Sequence, residues 1–549
     1  MADAPAAGAR PAQGWTPARS VAGNRSPWLI ASVISISAFM EVLDTAVANV
    51  SLAHIAGSTS STYDEATWVL TSYLIANAVV IPMSGWLSDV FGRKRYYMAS
   101  VALFTFASLC CGLAPSLTLL ILARILQGVG GGGLQPVTQA MLVDTFPPTS
   151  RGKAMSVYGI TVILAPMLGP LLGGWITDQF SWHWIFLINV PVGLLSLFLV
   201  ETMVDEPQLI VEERRQRWAR GVRFDLPGAA LIALALGSLE VMLDRGVTDD
   251  WFASPLIRGS AIVAAACLIA FVVWELIERD PLLDMRLFKY RNFASATIII
   301  MAIGVILFGT TQFIPQLMQQ VLGYTAEEAG LALTLGGIIA LITMPLAGIL
   351  SGHIQPRVLM GVGFAIEAVA MWHMTHFATT VTFADIALAR MWQAAPIPFL
   401  FVPLISAAYV GLPGEKTNGA TAMISVGRNI GGSIGISLVQ ALLARREQFH
   451  QVRLVERLQP LDPAYVHGIR ALARMLTARG APPVAASHMA VGVLYQMVQR
   501  QADMMAFVDV FWVLTIFIVT MLPIVFLLKR TPLARDHSRS AQPAAAHGG

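Results

Sequence analysis

The chain has 549 residues, 56% of them hydrophobic and only 13% charged, with a formal net charge of +3 and a mean hydropathy of +0.65. A soluble chain of this length carries roughly twice that charged fraction, so a water-soluble globular protein is excluded. The three cysteines, Cys110, Cys111 and Cys267, all lie in apolar stretches and two are adjacent, which leaves no disulfide framework and no metal spacing. They read as small apolar packing residues.

Residues 1–27, rich in Ala, Pro and Gly and carrying Arg10, Arg19 and Arg25, read as a disordered tail. The apolar block that follows is too long for a signal peptide and holds Glu41 and Asp44, so it reads as the first span. Blocks of about twenty residues, enough to cross roughly 30 Å of hydrocarbon as a helix, lie at 28–50, 66–87, 96–113, 117–138, 154–176 and 184–204. A polar connection, 205–224, holds Glu212 and Glu213 among arginines. Two more blocks follow at 225–243 and 257–277. The remaining six lie at 294–318, 328–350, 358–376, 383–410, 418–441 and 506–528. Between the last two, segment 442–505 reads as a long external loop, with Ile469, Leu472, Ala473 and Leu476 at helical spacing. Residues 529–549 form a second tail. No block alternates with period two, which disfavours a barrel. The expected fold is an all-α membrane protein of fourteen transmembrane helices.

The basic residues fix the expected orientation. With the N-terminus cytoplasmic, the inside segments hold Arg93, Lys94, Arg95, Arg151, Lys153, Arg214, Arg215, Arg217, Arg220, Arg223, Arg286, Lys289, Arg291, Arg357 and Lys416, and the tail adds Lys529, Arg530 and Arg535. The short outside loops hold Arg245 and Arg258. That asymmetry satisfies the positive-inside rule, from which the long segment 442–505 is exempt. Both termini are expected to be cytoplasmic.

The chain also repeats itself. Pro82-Met83-Ser84-Gly85-Trp86-Leu87-Ser88 recurs as Pro345-Leu346-Ala347-Gly348-Ile349-Leu350-Ser351, and Leu122-Ala123-Arg124-Ile125-Leu126-Gln127 as Leu388-Ala389-Arg390-Met391-Trp392-Gln393. The offsets are nearly equal, which predicts two equivalent six-helix bundles, 28–204 and 294–528, joined by a linker, 205–224, and an inserted helix pair, 225–293. A substrate path is expected between the bundles near the bilayer midplane.

Several motifs then carry a family resemblance. Gly85-Trp86-Leu87-Ser88-Asp89-Val90-Phe91-Gly92-Arg93-Lys94-Arg95 resembles the signature loop of the major facilitator superfamily. Leu43-Asp44-Thr45 with Asn49-Val50 resembles the first-span motif of its fourteen-span drug:proton antiporters, and Arg124-Ile125-Leu126-Gln127-Gly128 their span-4 coupling motif. Gly159 through Pro166, Gly169-Pro170 and Gly173-Gly174 resemble the span-5 antiporter motif, and Trp182 through Pro191 a junction of the same branch. Trp68 through Tyr73 and Ala76-Asn77-Ala78 add to the match, which is nearest to the EmrB-type multidrug efflux permeases. The resemblance implies proton-driven efflux of amphiphilic small molecules across the bacterial cytoplasmic (inner) membrane. It also implies a periplasmic adaptor and an outer-membrane channel as partners.

Ionisable groups inside a membrane are costly and default to functional hypotheses. Asp44 and Glu41, three residues apart, share a helix face, and a carboxyl withdrawn from water can load and release a proton near neutral pH. Arg124 cannot lose its charge and is the natural partner of Asp44. Partner exchange between them would bias inward- and outward-facing states; the plainer reading is a static ion pair. In the second half Glu367 sits mid-span and Arg390 echoes Arg124, while His373 and His376 approach the outer interface. The cavity candidates are Asn49, Tyr73, Asn77, Gln127, Gln135, Gln312, Arg390 and Arg428, beside Met and Phe residues of which most are expected simply to pack. Gly85, Asp89, Gly92 and Arg93 are expected to latch one conformer. The second copy, ending Ser351-Gly352-His353, lacks the aspartate. Gly128 and Gly130 through Gly133, with Gly159, Gly169, Gly173 and Gly174, should let helix backbones approach closely. Pro166 and Pro170 should bend span 5. Glu240, Glu275 and Asp509, towards span ends, are expected to snorkel to water.

Two other functions fit the same residues: a proton-coupled transporter of one specific metabolite, importing or exporting, and a non-transporting sensor or scaffold. Buried Asp44 and Arg124 speak against the scaffold. The glycine run has no preceding strand and no following Gly-Lys-Ser/Thr, so it is no phosphate cradle. Neither an ATP-driven pump nor an enzyme is expected, and no cofactor, metal or nucleic-acid site is read.

Overall fold

The computed structural model describes residues 25–147, 150–206, 208–219, 224–412, 417–459 and 462–529. Most of both expected tails, and Arg220, Arg223, Lys416, Arg530 and Arg535, lie outside these residues.

All regular structure among the described residues is helical. Helix α1 (Pro27–Val50) opens with proline in its first turn, where a missing N–H costs nothing. Short α2 (Leu52–Ser58) leads to α3 (Tyr63–Phe91), which starts at a capping box: Thr62 Oγ1 accepts from Glu65 N, and the Glu65 carboxylate accepts from Thr62 N. Gly92 alone separates α3 from α4 (Arg93–Gly112). Helices α5 (Leu117–Gly131) and α6 (Leu134–Thr145) make one span broken at Gly132-Gly133. Helix α7 (Arg151–Gln179) bends by 42° between Pro166 and Leu171, where the prolines were expected to bend it. Helices α8 (Trp184–Leu187) and α9 (Asn189–Met203) form the next span, and α10 (Gln208–Ala219) lies in the linker.

Helices α11 (Leu226–Arg245) and α12 (Pro255–Ile277) pack on each other. Then come α13 (Arg291–Gln316), α14 (Ala326–Leu350), α15 (Pro356–Met374), and α16 (Phe383–Ala394) with α17 (Ile397–Ala408) as one broken span. The chain ends in α18 (Thr417–Glu456), α19 (Pro463–Ala478) and α20 (Pro483–Val525).

The repeat seen in sequence reappears in the caps. Thr325 and Glu328 rebuild the capping box at the start of α14, as far beyond Thr62 as Pro345 is beyond Pro82. Ser116 caps α5 and Thr382 caps α16, at the spacing that separates Arg124 from Arg390. The halves touch where the first part of α7 crosses the end of α14. There Ser156 Oγ donates to Met344 O at 3.1 Å, and Gly152 and Gly348 face Ser351 and Ser156. Helix α3 also lies against α18.

Among the described residues twelve spans are long and apolar enough to cross a membrane, and the bent α7 makes a thirteenth. Helix α4 forms where the third span is expected, but it begins Arg93-Lys94-Arg95 and carries Ser100, Thr105 and Ser108, which lowers its apolar content. The segment 442–505 is mostly helical. Helices α18 and α20, of 40 and 43 residues, are each about 60 Å long, roughly twice what a bilayer needs. They run on as a hairpin with α19 packed against α20, and Ile469, Leu472, Ala473 and Leu476 make up the less exposed face of α19.

Candidate functional site

Asp44 and Arg124 are brought together in the interior of the first half. Their side chains are fully buried and paired at 2.5 Å. The arginine is held by further bonds, from Nε to Val69 O at 3.0 Å and from Nη1 to Gln127 Oε1 at 2.7 Å. The other carboxylate oxygen of Asp44 accepts from Gln127 at 2.9 Å and Asn189 at 2.7 Å. Gln127 also donates to Ser108 at 2.8 Å. Arg124 Nη2 is buried without a hydrogen-bond partner; the other donors and acceptors of the pair are bonded, as a buried ion pair requires. The Arg124 guanidinium lies 4.2 Å from the centre of the Tyr73 ring and 5.4 Å from that of Phe186.

Tyr73 separates this cluster from a second one. Its hydroxyl donates to Glu41 at 3.2 Å, as does the Asn77 amide at 3.2 Å. Gln135 donates to the other Glu41 oxygen. The amide oxygen of Gln135 accepts from Tyr158 at 3.0 Å and from Arg428. Glu41 is therefore bonded by neutral donors, and one of these is tied to an arginine of the second half. The glycine run makes the approach possible: a Cβ on Gly128 would lie 2.5 Å from Tyr73 O, and one on Gly131 3.0 Å from the Tyr73 hydroxyl.

A related arrangement stands in the second half. Gln393 donates to Glu367 at 2.7 Å and accepts from Arg390, the same arginine-to-glutamine contact three residues apart that Arg124 and Gln127 make. Arg390 also reaches Thr310 at 3.3 Å. The carboxyl of this second arrangement, Glu367, lies on α15, whereas Asp44 lies on α1. Gln312 is exposed on α13 and is not brought into either cluster, and the side chains of Asn49 and Pro170 lie outside the described residues. His373 and His376 are exposed near the end of α15.

The signature turn is covered by α10. Arg214 donates to Glu206 at 2.6 Å and to Phe91 O at 3.2 Å, and Trp218 donates to Val90 O at 2.9 Å. Gly92 has φ +92°, and a Cβ there would strike both Glu206 and Arg214. Gly85 is buried in the last turns of α3, with Asp89 half-buried beyond it. Arg93 forms a buried ion pair with Asp144, a residue the sequence reading missed. Gly169 and Gly173 press against Ala46 and Val47 of α1, and Gly159 against Met344; Gly174 meets nothing within 4 Å.

Two expectations fail. Glu240 and Glu275 do not snorkel: they are 8% and 0% exposed. Glu240 accepts from Ser433 at 2.7 Å and Glu275 from Leu283 N at 3.2 Å, because α18 and the segment after α12 fold over them. Asp509 is half-buried and pairs with Arg446 at 2.5 Å and His450 at 2.7 Å. Asn189 and Ser108 also went unassigned in sequence, although Asn189 lies within the Trp182–Pro191 motif.

An all-helical fold with internally repeated halves and ionic groups buried between its spans is that of a multi-pass membrane transporter. The family model described as Major Facilitator Superfamily matches residues 34–436, and the chain belongs to that superfamily. It is 37% identical to the multidrug export protein EmrB of Haemophilus influenzae over 79% of this chain and 84% of the relative. Against EmrB of Escherichia coli the identity is 35%, over 87% and 91%. Against the fatty acid resistance protein FarB of Neisseria gonorrhoeae it is 33%, over 92% and 97%. The solved structure of the proton:xylose symporter XylE shares the fold with a TM-score of 0.56 and 15% identity, covering 90% of this chain and 96% of that one. The chain is thus a transporter related to EmrB-type multidrug exporters, and not an enzyme.

Proposed function

We propose that the chain exports amphiphilic small molecules in exchange for protons across the bacterial cytoplasmic membrane. In this reading α4 and the bent α7 complete fourteen spans, both termini are cytoplasmic, and residues 28–204 and 294–528 are the two moving bundles. The relatives named for multidrug export and fatty acid resistance support the substrate class. A basic excess on one set of connections supports the orientation.

One observation carries the proposal: Glu41, 4% exposed, is bonded through Gln135 to Arg428 of the other half. A proton arriving on Glu41 removes an acceptor from Gln135 and weakens the link that reaches across the halves. Proton binding and bundle separation are thereby coupled. Asp44 and Arg124 act beside it, either exchanging partners or holding α1 to α5, and Glu367 with Arg390 offers a second carboxyl. Tyr73, Asn77, Gln135 and Arg428 line the path for substrate.

The permease works in this reading with a periplasmic adaptor and an outer-membrane channel, and the α18–α20 hairpin is the adaptor's seat. Its outer end presents Val484, Val491 and Tyr495 to solvent.

The test is proton release from everted vesicles when cationic, neutral and carboxylate amphiphiles are added. Release that vanishes in Glu41→Gln is expected. Release unchanged in Glu41→Gln but lost in Asp44→Asn would move the proton site to Asp44, and no release with any compound would reject antiport of this class.

A further inference from the structure

The inserted pair α11–α12 carries a carboxyl pair of its own, remote from Glu41 and Asp44 in sequence. Asp225 caps α11: its Oδ1 accepts from Gly228 N at 2.9 Å and from Trp274 Nε1 at 2.8 Å. Glu275, on the last turn of α12, spends Oε2 on Leu283 N at 3.2 Å. The other oxygens, Asp225 Oδ2 and Glu275 Oε1, are buried and have no hydrogen-bond partner. Asp225 is 7% exposed and Glu275 0%. Both orphan oxygens point to one place. A Cβ on Gly228 would lie 2.1 Å from the first and 2.8 Å from the second, so the two are at most 4.9 Å apart.

A buried acceptor without a donor is expensive, and two of them facing each other as carboxylates would also repel. No salt bridge reaches either group among the described residues. Of the charged groups around the pair, Arg286 donates to Leu276 O and Glu278 O, Glu278 accepts from Arg279 N, and Asp284 caps Arg286 N; Asp89 lies on neighbouring α3. The charges further along α11 and α12, Glu240 and Arg258, are on the order of four helical turns away. One proton placed between the two oxygens satisfies both at once.

We propose that Asp225 and Glu275 bind a single shared proton, and that this proton fastens the inserted pair to the strap leading into the second half. The contacts fit a latch. Leu283, held by Glu275, belongs to a strap whose Leu282, Leu283 and Leu287 are all buried. Phe224, next to Asp225, meets Trp86 of the signature turn at 4.7 Å. The proton therefore joins α11, α12 and the strap beside α3. Raising the pH removes it, leaves two facing carboxylates and loosens that end of the pair. The site stands independently of which molecule is exported.

The test uses the full chain in lipid nanodiscs with Asp225→Asn and Glu275→Gln. Each amide supplies an N–H in place of the proton, so both variants should fold and melt like the parent near neutral pH. Infrared difference spectra should show one protonated-carboxyl band lost in either variant and no second band lost in the double variant. Loss of two bands in the double variant would mean two separate acids and would overturn the sharing. No band lost would overturn proton binding, and a melting temperature then raised by sodium or calcium would identify a cation site instead. Should either variant fail to fold, hydrogen exchange on the native chain decides. Protection of residues 282–287 should fall as pH is raised, and protection independent of pH would overturn the latch.

Discussion

Arg428 on α18 donates to the amide oxygen of Gln135 on α6, while the nitrogen of that same amide donates to Glu41 on α1. One glutamine thus reports the state of a carboxyl in the first half to an arginine in the second. An amide can do this because it has a donor and an acceptor at opposite ends of a rigid group.

Gln135→Leu keeps much of the bulk of the side chain but severs both contacts. Substrate-driven proton release from everted vesicles is expected to fall at least about tenfold, the loss of roughly 1.4 kcal/mol of coupling. Substrate binding, followed by fluorescence quenching on purified protein, should fall by a smaller factor, because Gln135 is one of four side chains proposed to line the path. Equal losses in both would show that Gln135 serves binding or the fold and not coupling.

Arg124→Met leaves Asp44 as a buried charge held only by the Gln127 and Asn189 amides. The expected cost is about 3–5 kcal/mol, read as a lower melting temperature and poor yield from the membrane. Adding Asp44→Asn to that variant should restore most of the stability. Failure of the double variant to recover would show that the arginine acts mainly through Val69 O and the Tyr73 ring.

Gly169→Leu forces a side chain into Ala46, where even a Cβ would lie 2.4 Å away. Overpacking of this kind costs about 1–3 kcal/mol and should reduce folded yield. Gly174→Ala, which meets no atom within 4 Å, is expected to stay within about 0.5 kcal/mol of the parent. Size-exclusion profiles and thermal melts of the two side by side check the contrast.

Gly92→Ala meets two obstacles, a left-handed backbone at φ +92° and the Glu206–Arg214 pair above it. About 1–2 kcal/mol of local strain should be relieved by lifting α10 away from the turn. Limited proteolysis within 205–219 is expected to speed up several-fold, with the rest of the chain unaffected. Unchanged cleavage would mean that α10 is not held by this turn.

The positions of the helices could be read from the chain because each needs only a local apolar block, and all fourteen blocks became helices or broken helices. The Asp44–Arg124 pair could be read because each partner is too costly to bury alone. What sequence did not show were the partners that arrive from far along the chain. Asn189 reaches Asp44 from α9, Asp144 reaches Arg93 from α6, and Leu283 folds back over Glu275. Of these only Asn189 lies in a stretch the sequence singles out, the Trp182–Pro191 motif, and nothing there marks it as a partner of Asp44. Glu41 and Asp44 were expected to act on one helix face; Tyr73 stands between their clusters, its hydroxyl on one and its ring against the other.

Helix α18 has one further property, which follows from its unbroken length. The same rigid rod carries Arg428 at the junction of the halves and Glu456 at its far end, about 42 Å further on. With no break in the helix between them, tilting the rod by about 10° at the junction swings its tip by about 7 Å, several times the movement at the arginine itself. In the proposed orientation the rod is a pointer: whichever way the transporter faces, its tip would display that state outside the membrane.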